Sequence, residues 1–137
     1  MNTFEATLRQ LLQAGHTARF RASGDSMYPT IRSGDYLDVA PCGTSELRRG
    51  DIVLAATERG LTAHRIVRIE ENDGSSQITT RGDNALRSDF PIAATDILGR
   101  VAQAGEAKNV RKSIAKSATI IRFAAVLVRR LRGRFQR

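Results

Sequence analysis

Little in this sequence belongs to the usual metal, redox or membrane-spanning inventories. The single cysteine, Cys42, excludes an intrachain disulfide framework and a cysteine-only metal cage, and it fits a reducing compartment. The two histidines, His16 and His64, stand in no H-x-x-x-H or H-E-x-x-H spacing, so no metal site is expected. "GDN" lacks the alternating acids of an EF-hand, and no G-x-G-x-x-G precedes a helix, so no cofactor is expected either. No uninterrupted 18-residue apolar run occurs. The longest candidate is broken by Arg122 and closed by Arg129 and Arg130, which argues against a transmembrane anchor. "MNTFEATLRQLLQAG" has an early acid, no basic n-region and no apolar h-region, so no secretory signal is read. A cytoplasmic or peripheral-membrane location is the expectation.

What is present is a chain of 137 residues, 41% hydrophobic, enough for one domain with a real core but not for two. The net charge of +8 is an average over two unlike parts. Residues 1–107 hold all 14 acids against 12 basic residues, whereas residues 108–137 hold 10 basic residues and no acid. The basicity belongs to the tail.

"NTFEATLRQLLQAG" reads as a helix: Asn2 can cap, Glu5 follows at capping-box spacing, and Phe4, Leu8, Leu11 and Leu12 form an apolar stripe that ends before Gly15. From Thr17 the runs "ARFRA", "YLDVA", "DIVLAA", "LTAHRIVRIE", "SQITTR" and "DILGRVA" alternate with Gly/Asp turns, which indicates an antiparallel, mainly β domain. Past Asn109 the period is helical again. Val110, Ile114, Ala118, Ile121, Ala125 and Val128 share one stripe, widened by Leu127, with Arg122, Arg129 and Arg130 on the other side. The expected organisation is a packed N-terminal helix over 1–16, a β domain over 17–106 and a basic amphipathic C-terminal helix over 107–137.

Three residue types carry the possible chemistry. Ser26, in "SGDSMYPTI", offers a hydroxyl, His64 a base, and Asp83 or Asp89, both in "RGDNALRSD", a carboxylate to hold the imidazole. A serine hydroxyl attacks a carbonyl only when a base takes its proton. Each residue also has a plainer role. Ser26 can be a turn serine, His64 a half-buried imidazole on a strand, and Asp83 and Asp89 can close Asx turns. Arg65 is a salt-bridge partner rather than a base, because guanidinium stays protonated.

The placement of these residues resembles the signal peptidase I and LexA-like serine peptidase superfamily. Ser26-Met27-Tyr28-Pro29 is similar to its serine box, Ile31–Val39 and Leu47–Val53 to the "GDxvxV" and "GDIV" boxes, His64-Arg65 to the base box, and Arg81–Asp89 with Asp96–Val101 to the closing "GDN…D…GrV". The resemblance implies the mainly β signal-peptidase/LexA-like fold, and it implies a serine endopeptidase acting on a signal or precursor peptide through Ser26, His64 and Asp89, with Asp83 supporting the site. Histidine at the base position is most similar to the endoplasmic-reticulum and archaeal signal peptidases. Gly24, Ser26 and Met27 fall in the oxyanion and substrate-cleft region. Gly24 stands where the lysine-type enzymes have a hydroxyl, which leaves the Ser26 N–H as the visible donor.

Two other readings belong to the same resemblance: a peptide-binding scaffold without turnover, and a LexA-like self-cleaving regulator. "QAGHT" does contain an Ala14–Gly15 bond, but one helix is not a helix-turn-helix. For the tail, the expected partner is an anionic membrane surface engaged by Arg122, Arg129, Arg130, Ile121 and Leu127, or a membrane protein. Nucleic acid is disfavoured, since only Phe123 and Phe135 are aromatic there.

Overall fold

The computed structural model describes residues 3–106 and 120–122. One helix, α1 (Thr3–Gln13), precedes seven strands in that first stretch: β1 (Thr17–Arg21), β2 (Tyr36–Ala40), β3 (Ile52–Thr57), β4 (Gly60–Asn72), β5 (Ser75–Arg81), β6 (Ile92–Ala93) and β7 (Ile97–Gly105). An eighth, β8 (Ile120–Arg122), completes one sheet in the order β6-β5-β4-β3-β7-β2-β1-β8. Every pairing is antiparallel except β1 with β8. The mainly β architecture with a short N-terminal helix is thus as the turn spacing predicts.

The helix stripe does the work its spacing implies. Leu8 and Leu12 are fully buried, and Phe4 meets Phe20 of β1 edge to face with centroids 6.1 Å apart. The helix closes in a Schellman cap: His16 N–H donates to Leu11 C=O, Gly15 N–H donates to Leu12 C=O, and Gly15 takes φ +88°. The Ala14–Gly15 bond lies inside this cap rather than on an extended segment.

Neighbouring residues of β3 point to opposite faces, and both faces are covered. Leu54 joins a core with Leu8, Phe20, Met27, Ile31 and Leu37, while Val53 joins a second core with Leu47, Ile66 and Ile78. A half-solvated antiparallel sheet shows one buried face. Here the register shifts at Asp38/Val39, Leu54/Ala55 and Ile66/Arg68, and the bends that such shifts produce curl the sheet so that its central strand is covered on both sides. The β4–β5 hairpin turns on Asp73 and Gly74, both at positive φ, the conformation a two-residue turn of matching twist needs.

One expectation needs correction. Ile120–Arg122, placed by periodicity within a continuous C-terminal helix, is a strand whose main chain pairs with β1. A β-branched pair, Ile120 and Ile121, suits an open strand edge as well as a helix stripe, and the edge of β1 decides. The rest of that helix expectation, with Leu127, Arg129 and Arg130, falls outside the described residues. Among the described residues no helix is long and apolar enough to cross a membrane.

Across β1 and β2 a buried ion pair replaces apolar packing. Arg19 Nε and Nη2 donate to the two Asp38 carboxylate oxygens at 2.7 and 2.9 Å, with both side chains about 7% exposed. Removing one partner strands a buried charge, a loss of roughly 3–5 kcal/mol, whereas replacing both by apolar groups leaves none stranded. Asp38→Ala is therefore expected to lose several kcal/mol in denaturant unfolding, and Arg19→Met/Asp38→Leu markedly less. Equal losses in the two variants would contradict this account.

Candidate active site

Ser26 sits on the loop from β1 to β2. Ala22 N–H donates to Asp35 C=O and Gly34 N–H to Ala22 C=O, which closes the base of the loop. Met27 and Ile31 are buried in the first core at 4% and 3% exposure, and Ile31 N–H donates to Met27 C=O. With the residue after it anchored inward, Ser26 is left exposed to solvent. Gly24, at φ +92°, makes the reversal that brings the chain to it.

A second loop, residues 82–91 after β5, is stitched onto the first. Asn84 N–H donates to the Ser26 carbonyl at 2.9 Å, Asn84 Nδ2 to the Asp25 carbonyl at 3.1 Å, and Asp83 N–H to Met27 Sδ at 3.3 Å. The approach is so close that a β-carbon at Gly82 would stand 2.5 Å from the Ser26 carbonyl oxygen and 3.3 Å from His64 Nε2. The Ser26 main chain and the outer edge of the imidazole therefore converge on one glycine, although 38 positions separate them in the sequence.

The two candidate aspartates part company. Asp89 Oδ2 lies 2.6 Å from His64 Nδ1 and accepts from Thr80 Oγ1 at 2.8 Å, while Asp89 N–H donates to Thr80 C=O. Asp83 faces away from the imidazole. It takes a two-pronged bond from Arg65 Nε and Nη2, each 2.8 Å, and a third from Thr30 Oγ1 at 2.6 Å, and Arg65 Nη1 reaches on to Gly50 C=O. Arg65 is thus the salt-bridge partner its chemistry suggests, and Asp83 ties both loops to the start of β3.

Both carboxyls are held below the usual range. For Asp83 the Arg65 hydrogen bonds are the main cause, opposed by burial and helped by Thr30. For Asp89 burial is the largest single influence and pushes upward, but the bonds from His64 and Thr80, with the charge interactions of His64 and Arg59, together bring it down. Met27, expected at the cleft, presents its sulfur to the Asp83 N–H and fills the floor of a small cavity. That cavity, about 20 Å³, is lined by Ala22, Ser23, Gly24, Ser26, Met27, Ile31, Leu37 and Ala63. It has room for about one water-sized or methyl-sized group.

Thr80, Gly82 and Asn84 escaped the sequence reading. Thr80 had a signal: it shares with Ile78 the inward face of β5, so a polar side chain there needed a buried partner. No group of three or more potential metal ligands occurs among the described residues.

A family profile described as Peptidase S24-like matches residues 3–102. The chain belongs to this family. It is accordingly a serine-type peptidase, with a peptide or protein as its substrate class. A search of curated proteins finds no match. The family assignment overturns the expectation of a signal-peptidase-type enzyme that cuts signal or precursor peptides through Ser-His-Asp: Peptidase S24-like proteins are LexA-like, pair their serine with a lysine, and cleave themselves. The boxes alone did not separate the two branches, because both carry the serine box and the "GDN" turn. This chain departs from the family in one respect. Residues 3–102 contain no lysine, and the only lysines are Lys108, Lys112 and Lys116.

Two outcomes follow from the geometry. Gly82→Ala forces a methyl group against a main-chain carbonyl, so it is expected to cost about 1–3 kcal/mol and, by displacing Ser26 against its surroundings, to slow Ser26 labelling by a fluorophosphonate about 100-fold. Unchanged labelling would show that the close approach does not position Ser26. Because Asp83 and Asp89 are depressed in the folded state, their stabilisation is complete above the ordinary carboxylate value of 3.8 and is lost as pH falls below it. Melting temperature measured from pH 6 to pH 2 should drop steeply below about pH 4, and less steeply in Asp83→Asn.

Proposed function

We propose that this chain is a LexA-like peptidase that cleaves a peptide bond of its own polypeptide, with Ser26 as the nucleophile. The observation that carries the reading is the convergence of the Ser26 main chain and His64 Nε2 on Gly82, at an exposed serine beside a methyl-sized cavity. The hydroxyl attacks the carbonyl carbon, the C–N bond breaks, the amine leaves with a proton, and water then hydrolyses the ester to regenerate Ser26. The Ser26 N–H is the donor available to the oxyanion, and Gly24 leaves space beside it.

The dyad of this family needs one group to receive the serine proton. With no lysine in the matched residues, we assign that place to the imidazole of His64, the feature in which the chain resembles histidine-type members of the wider superfamily. The assignment has a direct competitor in Lys108, Lys112 and Lys116, and the test includes them.

Purified chain is followed by intact mass over time, alongside fluorophosphonate labelling, for wild type, Ser26→Ala, His64→Ala and the triple Lys108→Arg/Lys112→Arg/Lys116→Arg. Ser26→Ala should abolish both fragment formation and labelling, His64→Ala should reduce both by roughly 10²–10⁴-fold, and the triple variant should retain them. Retention in His64→Ala with loss in the triple variant would move the base to a lysine. Undiminished fragmentation in Ser26→Ala would remove Ser26 from the chemistry.

A further inference from the structure

Three polar residues are buried among the described residues, and two of them, Arg19 and Asp38, satisfy each other. The third is Thr80, 6% exposed, and its hydroxyl is directed at the site. In the β4–β5 ladder Thr80 stands opposite Ile66 and Arg81 opposite Arg65, so one step further His64 comes opposite Gly82. Cross-strand partners point to the same face, as do side chains two apart on one strand. Thr80 and His64 are therefore diagonal neighbours on one face, and the loop after β5 brings Asp89 into contact with both.

The two neighbours reach the same atom. Asp89 Oδ2 is 2.8 Å from Thr80 Oγ1 and 2.6 Å from His64 Nδ1, and the Asp89 N–H donates to the Thr80 carbonyl at 2.8 Å. Thr80 thus holds Asp89 by its main chain and by its carboxylate at once. A carboxyl kept below its usual range is ionised at neutral pH and only accepts. Contacts from a hydroxyl and an imidazole nitrogen to one such oxygen are both satisfied only when both partners donate, which places a proton on His64 Nδ1. A neutral imidazole carries one ring N–H, so Nε2 is left bare. Nε2 is the nitrogen that lies beside Gly82 and the Ser26 main chain.

We propose that Thr80 is a positioning residue that fixes the tautomer of His64: by donating to Asp89 Oδ2 and accepting from the Asp89 N–H, it holds the carboxylate where it binds the Nδ1 proton and leaves Nε2 free to accept one. The inference rests on the assignment of His64 as the group that receives the Ser26 proton, and it adds what keeps that nitrogen unprotonated before attack. As Ser26 Oγ bonds to the carbonyl carbon its proton passes to Nε2, and the same proton then leaves with the amine. Without the hydroxyl, Oδ2 loses one of its two donors, the carboxyl is free to turn about its Cβ–Cγ bond, and the Nε2–H form becomes accessible.

The test uses the full chain, as wild type, Thr80→Val and Thr80→Ser. Valine keeps the shape and the strand preference of threonine but has no donor, and serine restores the donor. Nitrogen-15 NMR of the imidazoles at a pH where they are neutral reads the tautomer, with His64→Ala to assign the signals and His16, the only other histidine, as the internal control. Fluorophosphonate labelling of Ser26 is followed in the same proteins. Expected is a single Nδ1–H tautomer of His64 in wild type, a mixture of the two in Thr80→Val with labelling slowed about tenfold, and recovery of both in Thr80→Ser. An unchanged tautomer and labelling rate in Thr80→Val would overturn the role of Thr80 and leave His64 as the base. A changed tautomer with unchanged labelling would uphold the role of Thr80 and remove His64 from the proton transfer. A wild-type His64 protonated on Nε2 would overturn the proposal without any substitution, so a Thr80→Val chain that failed to fold would not shield it.

Discussion

The stitch between two loops is the constraint on which the site depends. Asn84 N–H to the Ser26 carbonyl is one main-chain hydrogen bond, but it forms only because residue 82 has no side chain. Around it, Asn84 Nδ2 to the Asp25 carbonyl, Asp83 N–H to Met27 Sδ and Thr30 Oγ1 to Asp83 join the serine loop, itself anchored by Met27 and Ile31, to the loop after β5. A bond of this kind contributes about 1 kcal/mol net. The importance of the Asn84 bond is positional, since it fixes the Ser26 carbonyl itself against the loop after β5. The Arg65–Asp83 pair makes the stitch rigid: a guanidinium fork fixes both the distance and the plane of the carboxylate, and Thr30 adds a third bond from the serine loop itself.

The sheet topology explains how such distant segments meet. Bends at three register shifts curl the sheet until β3, at its centre, is buried on both faces, and the strand beside it, β4, carries His64 and Arg65 in adjacent positions that point to opposite sides. One side chain goes to Asp89 and the other to Asp83. The "GDNALRSD" loop thus supplies two carboxylates six positions apart to two neighbours on one strand, and the strand alternation sorts them. Reading the sequence alone leaves both aspartates eligible for the imidazole, because alternation tells which face a residue takes but not where a loop passes over it.

Much of the fold was legible for simple reasons. Short apolar runs with β-branched residues between Gly/Asp turns map onto β1 to β5 within a residue or two and onto β7 within three, and Phe4, Leu8 and Leu12 are the face by which α1 packs. Ser26, His64 and Asp89 were legible as a set, through motif order. Thr80, Gly82 and Asn84 were not, since a buried hydroxyl, an absent β-carbon and a main-chain donor act through proximity that no local pattern encodes. The tail was misread where Ile121 entered a helical stripe. Periodicity over a basic, apolar-rich stretch has no way to register an open strand edge some hundred positions earlier.

The size of the cleft bears on how such a site works at all. A cavity of about 20 Å³ can bury one methyl group, and a buried methyl contributes roughly 0.8 kcal/mol, far too little to hold a free peptide at low concentration. A covalently attached segment escapes that requirement. Tethering replaces a bimolecular encounter with an internal one, and well-oriented internal reactions reach effective concentrations many orders above those of free substrates.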